Sequence, residues 1–167
     1  MNFSLELRKL CLSDATSMAR LANNKKIWDN VRDIFPHPYS EKDAESFIKT
    51  QDEDDLKDNF AIECNGDFCG AIGLILEQDV YRKSAEIGYW VGEPYWGKGV
   101  ATRAVDLLAR YAFDELGLVR LYAGVFEYNR GSMRVLEKNG FIKEGISKKA
   151  VFKNDRFWDE HCYALIR

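Results

Sequence analysis

Glu93-Pro94-Tyr95-Trp96-Gly97-Lys98-Gly99-Val100-Ala101-Thr102-Arg103 joins a segment with strand character, Ser84–Val91, to one with helix character, about Gly99–Leu116. Two glycines flank a lysine in the turn. Glycine has no Cβ, so its backbone can come close to a ligand. The first turn of a helix carries N–H groups without intrahelical partners, and the helix dipole is positive there. A strand, a glycine-rich turn and a helix start therefore make a seat for a phosphate. Two nucleotide-binding patterns are excluded. The fingerprint G-x-G-x-x-G breaks off, with Thr102 where its third glycine belongs, and G-x-x-x-x-G-K-[ST] occurs nowhere in the chain. On its own, Gly97-Lys98-Gly99 fits a plain strand–turn–helix connection as well as a phosphate site.

The 167 residues suit a single domain, 1–167, with its own core. Apolar residues make up 46% and charged residues 31%, a globular balance. The net charge of −3 gives no general attraction to nucleic acid or to an anionic membrane. No apolar run approaches the ~20 residues that span a bilayer. The start, Met1-Asn2-Phe3-Ser4-Leu5-Glu6, lacks the basic and apolar regions of a signal peptide. Cys11, Cys64, Cys69 and Cys162 form no CxxC pair and no Cys/His ligand set. They read as reduced thiols in a cytoplasmic protein without a metal site.

Outward from the turn, the pattern reads as follows. Phe3–Leu10 alternates and predicts a strand. Ser13 is placed to cap a helix over about Asp14–Asn23. Asn24–Tyr39, with Trp28, Phe35, Pro36, His37, Pro38 and Tyr39, reads as an irregular connector, either bordering a pocket or covering the core. Ser40 starts a second helix to about Gln51, and the polar run Asp52–Asp58 reads as a solvated loop. Asn59–Cys64 and Asp67–Glu77 flank Asn65-Gly66, a hairpin signal. After the glycine-rich turn, Ala101, Ala104, Val105, Leu108 and Ala112 form one helical stripe that Gly117 ends. Leu118–Phe126 is a strand and Asn129–Lys138 a short helix. Phe141–Phe152 and Arg156–Ile166 close the chain as two strands around Lys153-Asn154-Asp155. The order β-α-α-β-β-β-α-β-α-β-β indicates an α/β (α+β) domain with one crossover between antiparallel hairpins.

Four motifs stand in a row: Glu86-Ile87-Gly88-Tyr89-Trp90-Val91, Tyr95-Trp96-Gly97-Lys98-Gly99-Val100-Ala101-Thr102, Asn129-x-x-Ser132, and Leu136-Glu137-Lys138-Asn139-Gly140-Phe141-x-x-Glu144-Gly145. In this order they resemble the GNAT N-acetyltransferases, and within them the branch of the RimJ and RimL ribosomal-protein N-terminal acetyltransferases. The resemblance is dense over about Glu86–Gly145 and follows the family's element order over nearly the whole chain. It implies a mixed, mostly antiparallel twisted sheet of about seven strands flanked by about four helices, and acetyl-CoA as cofactor.

The family's phosphate motif, Q/R-x-x-G-x-G/A, falls on Trp96–Ala101. Gly99 and Ala101 match, and Trp96 replaces the Gln or Arg. The resemblance implies that backbone N–H groups over Trp96, Gly97, Lys98, Gly99, Val100, Ala101 and Thr102 hold the pyrophosphate. It lays the pantetheine arm along Tyr89, Trp90 and Val91, where a bulge parts their strand from Leu118–Phe126. An N–H near Val91 would then stabilise the oxyanion. Read from the residues alone, Tyr89 and Trp90 are equally the core and surface of a strand. Asn129 with Ser132 three residues on is ordinary helix-capping chemistry. By resemblance, Asn129 contacts the cofactor arm and Ser132 protonates the leaving thiolate, because Leu136 stands where many members carry a Tyr. Glu86, on the strand that leads into the motif, is the family-implied general base. Its other reading is a paired surface carboxylate. The region Lys149-Ala150-Val151 offers no later acid, and His37 and His161 read as structural.

The resulting expectation is direct transfer of acetyl to a primary amine, a peptide N-terminus or a small molecule, in a ternary complex. Asp29 and Asp33 would suit a cationic acceptor. The alternative is a non-catalytic acyl-CoA-binding or regulatory module on the same fold. The chain is expected to work as a monomer or homodimer.

Overall fold

The computed structural model describes residues 3–51 and 57–167. In chain order it contains β1 (Leu5–Lys9), α1 (Ala15–Ala22), α2 (Lys25–Trp28), α3 (Glu41–Lys49), β2 (Lys57–Cys64), β3 (Asp67–Leu76) and β4 (Ser84–Val91). Then follow α4 (Val100–Arg110), β5 (Arg120–Phe126), α5 (Arg130–Lys138), β6 (Ile142–Lys153) and β7 (Arg156–Ile166). The strands form one seven-stranded sheet in the order β1-β2-β3-β4-β5-β7-β6. Every neighbouring pair is antiparallel except β4 and β5, which the crossover through α4 makes parallel.

Helices cover both faces of the sheet. The stripe Val100, Ala104, Val105 and Leu108 of α4 packs with Ile62, Ile72, Leu74, Ile87, Leu121 and Leu136 on one face. On the other, Met18 and Leu21 of α1 and Ala44 and Ile48 of α3 pack with Ala61 and Phe68. Each fully buried Leu or Ile contributes about 1.5–3 kcal/mol. Alternation along β4 sends Ala85 and Ile87 to the α4 side and Trp90 to the α1–α3 side. The hairpin turn Asn65-Gly66 has φ of 52° and 89°, the conformation that two-residue hairpins favour. Asn154-Asp155 repeats it between β6 and β7, at 52° and 57°.

Several expectations are corrected. Ser13 caps no helix: it lies in a short turn, and the Asp14 carboxylate takes the Cys11 N–H at 2.9 Å just before α1. The connector Asn24–Tyr39 is not wholly irregular. Asn24 caps one helical turn, α2, by accepting the Lys26 N–H at 2.9 Å. With this single turn counted, the described residues form five α-helices, in line with the expected number of about four. After α4 the chain continues in a wider π-helical turn, Tyr111–Glu115, before Gly117 ends it at φ 62°. Of the run read as a loop, residues 52–56 lie outside the described residues, and Lys57 and Asp58 already belong to β2. No helix among the described residues is long and apolar enough to cross a membrane.

Candidate active site

β4 and β5 pair only over Ser84–Glu86 and Arg120–Tyr122, then part. The bulge expected in β4 is absent, since its register against β3 runs from Ala85 to Val91 without a slip. The opening comes instead from two parallel strands diverging after three residues. Gly92 donates its N–H to the Cys69 carbonyl at 2.8 Å. In an antiparallel ladder, bonded and non-bonded pairs alternate. Gly88 and Trp90 therefore bond towards β3, and the N–H groups of Tyr89 and Val91 face the gap. The Val91 carbonyl accepts from the Trp96 indole at 2.6 Å, so the side chain of Trp96 braces the end of the strand.

The glycine-rich turn follows directly. Gly97 and Gly99 have φ of 71° and 81°, and a Cβ built on either meets nothing within 4 Å. Glycine is needed there for conformation, and the space beside it is open. The Arg103 N–H returns to the Gly99 carbonyl at 3.0 Å, the first bond of α4. Among the described residues no acceptor meets the backbone N–H groups of Gly97 through Thr102. They form a run of unpartnered donors at the positive end of α4.

α5 forms the opposite wall. Asn129 Oδ1 accepts the Ser132 N–H at 3.1 Å, so the capping reading holds for this oxygen. The Ser132 hydroxyl lies 2.8 Å from the Tyr89 hydroxyl, joining α5 to β4 across the gap. Burial pushes the Tyr89 phenol up to about 12, and the Ser132 hydrogen bond only partly opposes this. Tyr89 is therefore a neutral hydroxyl throughout the physiological range. Leu136, at the family's tyrosine position, is fully buried in the core and reaches nothing in the site. Asn139 Nδ2 donates to the Thr102 carbonyl at 3.2 Å and ties α5 to the start of α4.

These parts enclose a cleft of about 630 Å³. Tyr89, Trp90, Val91, Trp96, Gly97, Gly99, Val100, Ala101, Thr102, Asn129 and Ser132 all line it. Lys98 does not; its ammonium turns to the Tyr95 ring, 5.9 Å away. Glu86 does not line it either. The sequence reading missed Arg130, Arg134 and Lys138, which also line the cleft. Their spacing of four residues along α5, a visible signal, puts them on one face. Arg130, Arg134 and Lys138 add positive charge opposite the unpartnered N–H groups.

Glu86 lies on the other face of β4, in an acidic group formed by tertiary contact. It ion-pairs with Arg32 from the segment after α2. Burial lifts its carboxyl above the usual range; Arg32 opposes this, and Glu160 and Glu77 reinforce it. Glu160 of β7 lies over Gly124 of β5, where a Cβ would come within 2.5 Å of its Oε1. The Tyr122 hydroxyl donates to Glu77. Gly88, two residues from Glu86 on the same face, opens onto space with nothing within 4 Å of a Cβ. Asp29 and Asp33 are both paired within the chain. Asp29 takes Lys25 at 2.6 Å and Asn154 at 2.9 Å, and Asp33 takes Lys153 at 2.6 Å. His37 stacks on Trp28 at 5.6 Å. Burial lowers the His161 pKa, and its Nδ1 has no partner among the described residues. Among the described residues no group of three His, Cys, Asp or Glu is arranged to hold a metal.

A family model described as an acetyltransferase (GNAT) domain matches residues 4–142. The chain belongs to the GNAT acetyltransferases. "Probable N-acetyltransferase YjcK" of Bacillus subtilis is 52% identical over 79 residues, which cover 47% of this chain and 43% of that protein. The match thus spans less than half of that relative. The spermidine N(1)-acetyltransferase of Escherichia coli K12 is 31% identical over 160 residues, covering 92% of this chain and 81% of the relative. Mycobacterium smegmatis RimJ, solved with CoA-disulfide, superposes with a TM-score of 0.89 at 24% identity, over 97% of this chain and 81% of that one. The RimJ likeness is one of fold.

Proposed function

We propose that this GNAT enzyme transfers acetyl from acetyl-CoA to a primary amine by direct attack in a ternary complex, with residues 1–167 acting as one RimJ/RimL-like domain in the cytoplasm. The observation that carries the reading is the run of unpartnered N–H groups at Gly97–Thr102, on the same cleft as the parting of β4 and β5. When bound, acetyl-CoA supplies an activated acyl carbonyl. The N–H groups of the turn, with Arg130, Arg134 and Lys138 across the cleft, hold its phosphates. Tyr89 and Val91 would offer backbone to its arm, and the Val91 N–H, which faces the gap, would stabilise the developing oxyanion.

Two proton transfers remain. The acceptor must lose a proton, because an ammonium has no lone pair. Glu86 takes it from the open side at Gly88, directly or through water. The thiolate must gain one, and the Ser132 hydroxyl, hydrogen-bonded to Tyr89, donates it. The acceptor is a peptide N-terminus or a small-molecule amine. The spermidine acetyltransferase among the relatives makes a polyamine the first candidate.

Thiol release from acetyl-CoA, against spermidine, aminoglycosides and N-terminal peptides, tests the activity. The expected result is release stimulated by one amine class and lost in Glu86→Gln, with CoA binding retained. The ion pair that holds Glu86 outside the cleft favours a second reading, an acyl-CoA-binding module without turnover. CoA binding with no amine-stimulated release from any acceptor would support that reading.

A further inference from the structure

Lys153 is charged, yet only 2% exposed. Burying an ammonium is costly unless it is paired and hydrogen-bonded. Here the pairing comes from one place, the segment between α2 and α3. The Lys153 ammonium donates to the Val31 carbonyl at 3.0 Å and to Asp33 Oδ1 at 2.6 Å. It also lies 3.4 Å from the centroid of the Trp28 ring. Further contacts fasten the same segment. Asn154, in the β6–β7 turn, donates to Asp29 Oδ1 at 2.9 Å, and the Tyr128 hydroxyl donates to the Asp29 carbonyl. The tip of the last hairpin thus grips residues 28–33. That segment brings Asn30 and Val31 to the cleft and carries Arg32 to Glu86.

We propose that Lys153 is a positioning residue for the amine side of the site, pinning residues 28–33 so that Asn30 and Val31 wall the cleft and Arg32 meets Glu86. This rests on the reading that the amine enters beside that segment. The pyrophosphate turn stands apart, because none of its residues bonds Lys153 among the described residues. Arg32 in turn balances the charges that face Glu86, namely Glu77, which accepts from the Tyr122 hydroxyl, and Glu160. Releasing the segment removes a cation from Glu86, so the base needs a higher pH to ionise.

Lys153→Met, Lys153→Arg and Asp33→Asn in the full chain test this, with spermidine or whichever panel amine is turned over. The amine KM should rise at least fivefold in Lys153→Met and Asp33→Asn, with the acetyl-CoA KM held within twofold. Lys153→Arg, which keeps the cation, should recover most of the amine KM. The acid limb of the pH–rate profile should move upward in Lys153→Met and in Arg32→Gln, and no further in the double variant. An unchanged amine KM, or equal losses for both substrates, overturns the proposal. If Lys153→Met does not fold, Asp33→Asn decides alone, because Asn keeps an Oδ1 that can accept from the Lys153 ammonium and removes only the charge. Glu86→Gln is the separate control. Turnover retained there defeats the base assignment and leaves the KM comparison to decide the role of Lys153.

Discussion

Gly99→Ala separates a glycine needed for folding from one needed for the cofactor. At φ 81°, an alanine is strained whatever the space around it, and its Cβ would meet no protein atom within 4 Å. The cost to the protein is therefore conformational only, about 1–2 kcal/mol for an L-residue in the left-handed region. At about 2–4 °C per kcal/mol for a chain of this size, the melting temperature should fall by about 2–8 °C. Gly66→Ala is the matched control. It has φ 89°, again with nothing within 4 Å, in the β2–β3 hairpin turn and outside the cleft.

Only at Gly99 does the new methyl enter the space beside the unpartnered donors. Keeping a phosphate oxygen from one of those N–H groups forfeits a charge-assisted hydrogen bond, about 1.5–3 kcal/mol. At 1.4 kcal/mol per tenfold, the acetyl-CoA KM should rise about 10- to 100-fold in Gly99→Ala and stay unchanged in Gly66→Ala. Thermal melts and initial rates of thiol release read both quantities. Similar melting losses with the acetyl-CoA KM of Gly99→Ala within twofold of the parent would refute the phosphate assignment of the turn.

Three further outcomes are expected. Ser132→Ala should lower kcat about 100-fold, the scale of a lost general acid, while the acetyl-CoA KM holds; unaltered kcat would remove Ser132 from the mechanism. Burial holds the Glu86 carboxyl above its usual range, so activity should be lost as pH falls through a value above the ordinary ~4.3. A kcat/KM profile whose acid limb lies at or below that value counts against Glu86. Asp14 takes two bonds from Arg8, at 2.8 and 2.7 Å, and the Cys11 N–H. Burial pushes its pKa up, but these donors outweigh burial and bring it below normal. The stabilisation is thus fully present above the unfolded value near ~3.9 and is lost as pH falls through the lowered folded value. Asp14→Asn should cost about 2–3 kcal/mol at pH 7 by denaturant titration, discounted because Arg8 is partly exposed. A gap between parent and variant that stays the same down to pH 2 would contradict this linkage.

Local chemistry made much of the architecture readable. Asn65-Gly66 announces its hairpin because few residues adopt positive φ cheaply, and the α4 stripe announces a helix because burial repeats with the helical period. Gly97 and Gly99 mark the turn on the cleft for the same backbone reason. The signals that misled were also local. Ser13 has capping chemistry, but Asp14, drawn in by Arg8 of β1, took the position that sets the start of α1. Asp29 and Asp33 look like free charge in a loop, yet their partners include Asn154 and Lys153 at the far end of the chain. The cations of α5 carried a readable spacing, which gained meaning only once the turn stood across from them.

Element order, turn chemistry and the run of unpartnered N–H groups at Gly97–Thr102 thus follow from residues close in sequence, where φ preference and periodicity act directly. The opening between β4 and β5, the Tyr89–Ser132 contact, the Arg32–Glu86 pair and the clasp at Lys153 and Asn154 join residues as many as 125 positions apart. No local preference encodes such contacts. They arise when one sheet, covered on both faces, brings distant strands and loops together and leaves their polar groups to pair with whatever the packing puts in reach.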